Sequence, residues 1–348
     1  MQETPTSTGT QAKSAPNPAT GCIGALLIAC FFGFFGLIFG TAIGSLGSGG
    51  SPEKGLRETL LDGESTAEKK IAAIPIQGMI MESMGTGAGT VSQVKKTLKA
   101  LKDDESVVGV LLVLDTPGGG VTASDRIYHD LVEFKKETKL PIHSVFLDIS
   151  ASGGYYVAMA SDHITAHPTT VTGSIGVIST FPNFSGAMDK VGVKVNVIKS
   201  LNSKGEVSFK DIGSPYRPMR PEEEKLLQGL ITDMWDRFTE VVAEGRKGKL
   251  SPEEVRKLAD GRVFTGEQAL EAKLVDSVGY MEDAYAKIRE AAGHEDAKIV
   301  SYQKEPSLAD LLGFSASAQQ TSLDELRVAQ EFLSSKGGFL YLWTAGGR

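Results

Sequence analysis

Ile142-His143-Ser144-Val145-Phe146-Leu147, running straight into Asp148-Ile149-Ser150-Ala151-Ser152-Gly153-Gly154-Tyr155-Tyr156, decides how this chain folds. The apolar run predicts a strand over Ile142 to Leu147, and the apolar residues Tyr156 to Ala160 predict a helix immediately after the turn. Strand, tight turn and helix in that order form the repeating unit of a parallel α/β sheet. The two glycines after Ser152 remove side chains that would crowd a bound molecule. They also leave backbone N–H groups free at a helix start, where developing negative charge is stabilised. Ser152 is therefore the candidate nucleophile. A strand-to-helix turn without chemistry explains the same residues, so the assignment requires a base and oxyanion donors elsewhere.

The flanking sequence repeats the alternation. Ile71 to Ile76 predicts a strand, and Val91, Val94, Leu98 and Leu101 follow a helical spacing. Val107 to Leu114 is almost continuously apolar, as suits a strand buried on both faces. Asp115 to Gly120 reads as a loop, and Ile127, Leu131 and Phe134 share a helix face. Beyond Ser152, His163 to Ala166 and Val193 to Ile198 read as strands. Pro221 and three glutamates open a long helix over Glu222 to Ala243, an N-terminal signature that fits the helix dipole. Ser251-Pro252-Glu253-Glu254 opens another; Asp283 to Ala292 reads as a helix and Lys298 to Tyr302 as a strand. This order with short connections predicts an α/β fold, a parallel sheet wrapped by helices.

Composition narrows the function. The chain has 348 residues, 41% of them hydrophobic, with 40 glycines, which fits a globular α/β protein. A net charge of −7 without a basic patch argues against nucleic acid as a partner. The two cysteines, Cys22 and Cys30, lie in one apolar segment, and the five histidines form no metal-type pair. No metal and no cofactor is expected. Residues 1–20 are polar and expected to be disordered. The 21 residues from Ile23 to Ile43 carry no charge, enough at ~1.5 Å per residue to span a membrane as a helix. Only Lys13 stands before them as a positive charge, which favours an uncleaved anchor over a signal peptide. Gly36, Gly40 and Gly44 share one face of that helix and permit close helix packing. The expected organisation is a tail over 1–20, a transmembrane anchor over 21–45, a linker over 46–70, a folded domain over 71–300 and a tail over 301–348. The apolar end of that last tail, Phe339 to Trp343, reads as a helix cap or oligomer contact, or as a peptide-like segment able to enter a groove.

Gly118-Gly119-Gly120 follows the strand Val107 to Leu114, at the sheet edge where α/β proteins bind ligands. It lacks the Lys-Ser/Thr of a P-loop and the spacing of a dinucleotide fold. The N–H groups of Gly119 and Gly153 form the candidate oxyanion pair. For the base, His163 and His167 have no acidic residue placed to orient them, and Lys199, Lys204 and Lys210 stand as alternatives.

Asp115-Thr116-Pro117-Gly118-Gly119-Gly120, Ala151-Ser152-Gly153-Gly154-Tyr155-Tyr156 and Thr172-Gly173-Ser174-Ile175-Gly176-Val177 resemble the signal peptide peptidase A family of serine proteases. Val197-Ile198-Lys199-Ser200, Lys210-Asp211-Ile212-Gly213-Ser214-Pro215 and Asp260-Gly261-Arg262-Val263-Phe264-Thr265-Gly266 extend the resemblance over roughly Ile71 to Ala292. It implies a fold like the ClpP and crotonase group behind an N-terminal transmembrane helix. It also implies a Ser/Lys dyad, with Ser152 as nucleophile, Lys210 as general base, Ser174 positioning the lysine and Gly119 donating to the oxyanion. The connection Leu201 to Phe209 is longer than usual for the family, and Lys204 is the alternative base. The resemblance further implies a single-unit form, a ring of subunits sharing their sites, and an extracytoplasmic domain on the inner membrane. Its substrates would be apolar peptides such as leftover signal peptides, cleaved faster as alkaline pH deprotonates the lysine. A crotonase-type acyl-CoA enzyme and a membrane scaffold with a dead site are the competing readings.

Overall fold

The computed structural model describes residues 56–82, 89–205, 208–304 and 340–342. The elements run β1 (Leu56–Asp62), β2 (Lys70–Gln77), α1 (Thr90–Lys102), β3 (Val107–Thr116), β4 (Gly118–Gly120), α2 (Val121–Thr138), β5 (Ile142–Ala151) and α3 (Gly153–Ala158). They continue with β6 (His163–Ala166), β7 (Val171–Gly173), α4 (Ser185–Lys190), α5 (Pro221–Gly245), α6 (Pro252–Leu258) and β8 (Val263–Thr265). Last come α7 (Gly266–Glu271), β9 (Ser277–Val278), α8 (Met281–Ala292), β10 (Lys298–Lys304) and β11 (Leu340–Leu342).

The main sheet has the order β1-β10-β2-β3-β5-β6-β9, all neighbours parallel except the antiparallel β1–β10 pair. Strand β3 sits near its centre and is buried on both faces. Val110, Leu112 and Leu114 pack in one core, with Ile127, Leu131 and Phe134 of α2 and Phe238 of α5. The alternate residues Leu111 and Val113 pack in a second core with Tyr285 and Ile288 of α8. A strand covered on both sides has no polar face to alternate, which is why its sequence reads as a continuous apolar run.

Strand β5 changes partner along its length. Its first half pairs with β6 and its last three residues pair with β7, which in turn pairs antiparallel with β8. The end of β5 is thus held between Thr116 of β3 and Thr172 of β7. That is what makes the residue after it a fixed point.

Two expectations change. Val193–Ile198 forms no strand: its valines at 193, 195 and 197 are exposed, and Ile198 is 98% exposed. The period-two pattern is real, but among the described residues no strand pairs with it to complete a ladder. The expected linker over 46–70 contains β1, whose backbone pairs along β10 although most of its side chains face solvent. Among the described residues no helix is long and apolar enough to cross a membrane. The expected tail over 1–20 and anchor over 21–45, with the glycines at 36, 40 and 44, lie outside the described residues.

Candidate active site

Ser152 caps the N-terminus of α3 at the end of β5. Its φ of 53° and ψ of −113° form a conformation that L-residues avoid. Such a position costs about 1–3 kcal/mol and persists only where its surroundings hold it. Here they do. The Ser152 N–H donates to the Gly173 carbonyl at 2.8 Å, and its carbonyl accepts from the Tyr156 N–H at 2.9 Å. Two residues upstream, the Ser150 hydroxyl donates to the Leu114 carbonyl at 2.7 Å. The Ser152 side chain is 1% exposed, and its Oγ has no hydrogen-bond partner. A buried hydroxyl without a partner is a cost the fold carries.

The glycines around it are close-packed backbone. A methyl group on Gly119 would lie 2.0 Å from the Ile80 carbonyl oxygen, and one on Gly153 would lie 2.5 Å from Ser124 Oγ and 3.1 Å from the Gly119 nitrogen. Only hydrogen fits at either position. Ile80 donates its N–H to the Gly118 carbonyl at 2.8 Å and accepts from the Gly120 N–H at 2.9 Å. Successive residues of a strand point their polar groups to opposite sides. Gly119 therefore directs its own N–H and carbonyl away from Ile80.

They face β11. Tyr341 pairs with Gly119, flanked by Leu340 opposite Gly120 and Leu342 opposite Gly118. The other edge of β11 is also engaged: Leu340 and Ile178 exchange N–H···O bonds of 3.0 and 3.1 Å. The Tyr341 ring is fully buried, stacked 5.1 Å from Tyr156 and tilted 4.5 Å from Phe238, and its hydroxyl donates to the Met234 carbonyl at 2.8 Å. A methyl group on Gly118 would lie 2.1 Å from the Tyr341 carbonyl oxygen and 2.7 Å from the Gly153 nitrogen. The N–H groups of Gly119 and Gly153 and one peptide carbonyl thus converge beside Ser152. Leu340 to Leu342 of the apolar C-terminal end form a strand in a groove rather than a helix cap.

The remaining candidates are distributed as follows. Ser174 is buried next to β7, with φ of 50°, and its N–H donates to the Arg262 carbonyl at 2.8 Å. His163 bonds Ser277 Oγ at 2.9 Å, and His167 lies 5.4 Å from the Tyr280 ring, so neither histidine partners Ser152. Lys199 pairs with Asp211 at 2.5 Å. Lys204 and Lys210 are exposed, and neither their ammonium groups nor that of Lys199 bonds Ser152. Asp148 is exposed to solvent. A single chain brings Ser152, Gly119 and Gly153 together and leaves the lysine out. Sequence reasoning missed Ile80, whose backbone holds the glycine strand, because a short apolar run, Met79 to Met81, carries no signal of that task. It also missed the pocket of Tyr156 and Phe238, which reads as ordinary core.

Residues 134–295 match the family model described as Peptidase family S49. A relative from Enterococcus faecium, provisionally named signal peptide peptidase SppA, is 37% identical over 265 residues, covering 75% of this chain and 72% of its own. A provisionally named protease from Synechocystis sp. is 38% identical over 289 residues, 80% of this chain and 98% of its own. Protease 4 of Haemophilus influenzae is 28% identical over 304 residues, 80% of this chain and 47% of its own.

Proposed function

The chain belongs to peptidase family S49 and is a serine-type endopeptidase, and on that premise we propose that it hydrolyses apolar peptides with Ser152 as nucleophile and Lys210 of a neighbouring subunit as base. The observation that carries this reading is the buried, unpartnered Ser152 Oγ beside an occupied strand groove. β11 stands in for a substrate strand. A substrate lying as β11 does would place its scissile carbonyl oxygen toward the N–H groups of Gly119 and Gly153, and an apolar side chain between Tyr156 and Phe238. That apolar pocket and the name of the Enterococcus relative support leftover signal peptides as substrates.

Neutral Lys210 takes the Ser152 hydroxyl proton as Oγ attacks the peptide carbonyl carbon. The carbonyl π-bond opens, and the negative charge on oxygen is held by the two glycine N–H groups. Lys210 returns the proton to the departing amine as the C–N bond breaks, leaving an ester on Ser152. Water, losing a proton to Lys210, then hydrolyses that ester. The Ser174 backbone lies one residue beyond the β7 end that holds Ser152, which suits it to steady the incoming ammonium group.

Two observations favour delivery of the lysine from a second subunit. Among the described residues Ser152 Oγ has no lysine partner, and the segment bearing Lys210 exposes Phe184, Val191, Val193, Val195, Val197, Ile198, Leu201 and Phe209. An apolar surface of this kind fits a subunit interface. The reading includes a ClpP/crotonase-like ring, anchored in the inner membrane through residues 21–45 with the domain on the extracytoplasmic side. The test is digestion of a synthetic signal peptide by the wild type and by Ser152→Ala. Cleavage by the wild type alone is the expected result; equal cleavage by both sinks the assignment of Ser152.

A further inference from the structure

Among the described residues the ammonium group of Lys210 makes no ion pair, yet the residues on both sides of it are held. The Phe209 ring lies 5.0 Å beneath the guanidinium of Arg220. Asp211 accepts from Nε and Nη2 of Arg217, each at 2.9 Å, and from Lys199 Nζ at 2.5 Å. Both arginines then converge on one carboxylate. Arg217 donates to Glu223 Oε2 at 2.7 Å and Oε1 at 2.5 Å, and Arg220 donates to Oε1 at 2.8 Å. Glu223 is fully buried at the third position of α5, and its carboxylate also accepts the Arg220 backbone N–H at 2.9 Å.

This arrangement exceeds what a helix cap requires. One carboxylate at the helix start would satisfy the free N–H groups and the dipole. Here two guanidinium forks tie that carboxylate to each neighbour of one exposed lysine. Arg217 engages both oxygens of Asp211 and both of Glu223, a geometry that a lysine cannot reproduce. The element that anchors the network is itself fixed, since Phe238, Val241 and Val242 of α5 lie in the main core. The surrounding residues 191–205 and 208–209 have little regular structure and no fully buried side chain. Lys210 is tied from both flanks to the start of α5.

We infer that Arg217, Arg220 and Glu223 form a positioning clamp that presents Lys210 at a fixed place for insertion beside Ser152 of a neighbouring subunit. The inference rests on the reading of Lys210 as the base. Its physical reason is that an amine must arrive within hydrogen-bond reach of a buried hydroxyl, and small misplacements there are costly. None of the three clamp residues touches substrate.

The test uses the full-length protein and a synthetic signal peptide, with Arg217→Ala, Arg217→Lys, Ser152→Ala and Lys210→Ala chains alone and co-expressed. Arg217→Ala is expected to lower kcat about 10²-fold with KM within about twofold of wild type. Arg217→Lys should remain similarly impaired. Co-expression of Arg217→Ala with Ser152→Ala should restore activity, because the second chain supplies an intact lysine loop to the intact serine of the first. Co-expression with Lys210→Ala should restore nothing. An Arg217→Ala enzyme with wild-type kcat, while Lys210→Ala is inert, overturns the clamp and leaves the base standing. A loss that Ser152→Ala does not rescue, although Ser152→Ala and Lys210→Ala rescue each other, also overturns it. An active Lys210→Ala enzyme removes the base itself, and the clamp with it.

Discussion

The two halves of the proposed site are built on opposite principles. The nucleophile half is over-determined: Ser152 follows a central strand, its backbone is bonded at both ends, and its glycines are packed too closely to admit a side chain. Among the described residues the lysine half lies between α4 and α5 on largely irregular, exposed chain, rich in apolar side chains that contact solvent. The first half is assembled within one chain; the second, on the proposed reading, is completed by a partner surface. A strained serine needs a rigid frame, whereas an element that must enter a neighbour's site has to stay at the surface. The difference also separates the variants that break chemistry from those that break the fold.

The sharpest way to break the comparison is at its two poles. Ser152→Ala and Lys210→Ala should each lower kcat/KM by at least about 10³-fold, measured on an apolar peptide. Mixed oligomers of the two should regain activity if the halves belong to different subunits; mixtures that stay inert would place both halves in one chain. Gly119→Ala comes next. Its methyl group would meet the Ile80 carbonyl oxygen at 2.0 Å, so the strand must shift. The expected loss is about 10²-fold in kcat from the displaced donor, with about 1–3 kcal/mol of stability read from urea denaturation. A methyl group at Gly186, where nothing lies within 4 Å, should change neither, which contrasts the two halves directly.

The far end of β5 predicts a pH effect without chemistry. His143, 6% exposed, has its pKa pushed down to about 4, first by burial and then by the charge of His163. Its folded state holds the imidazole neutral, while the unfolded chain takes up a proton below about 6.5. Stability is therefore whole above that pH and falls by up to about 3 kcal/mol as pH drops toward 4. Denaturation midpoints for wild type and His143→Gln across that range check this; parallel curves would remove His143 as the source. The smallest effect concerns the groove. Deleting the chain from Leu340 onward should raise kcat/KM for added peptide about three- to tenfold, because a competing strand is gone. An unchanged value would mean that β11 leaves the groove freely.

Much of the scaffold was legible from local pattern. The apolar run at β3 and the helical spacing of Val91, Val94, Leu98 and Leu101 needed no tertiary knowledge, since the core imposes its period directly on them. Val193 to Ile198 misled for an instructive reason: alternation reports a strand-like chain, and a strand exists only where a neighbour supplies the other half of each hydrogen bond. The strand at β1 was hidden for the converse reason, because its backbone pairs while most of its side chains stay in solvent.

By itself the sequence determined the turn at Ser152. A serine between small residues, after an apolar strand and before an apolar helix, has few conformations open to it, and the glycines at 118, 119 and 153 answer to steric limits that act over a few ångströms. Only the tertiary structure decided that Ile80 turns the Gly119 amide toward a groove, that Leu340 to Leu342 lie in that groove, and that Lys210 stands apart from Ser152. Those relations join residues scores of positions apart. Local pattern does not encode such distances; the packing of the whole sheet sets them.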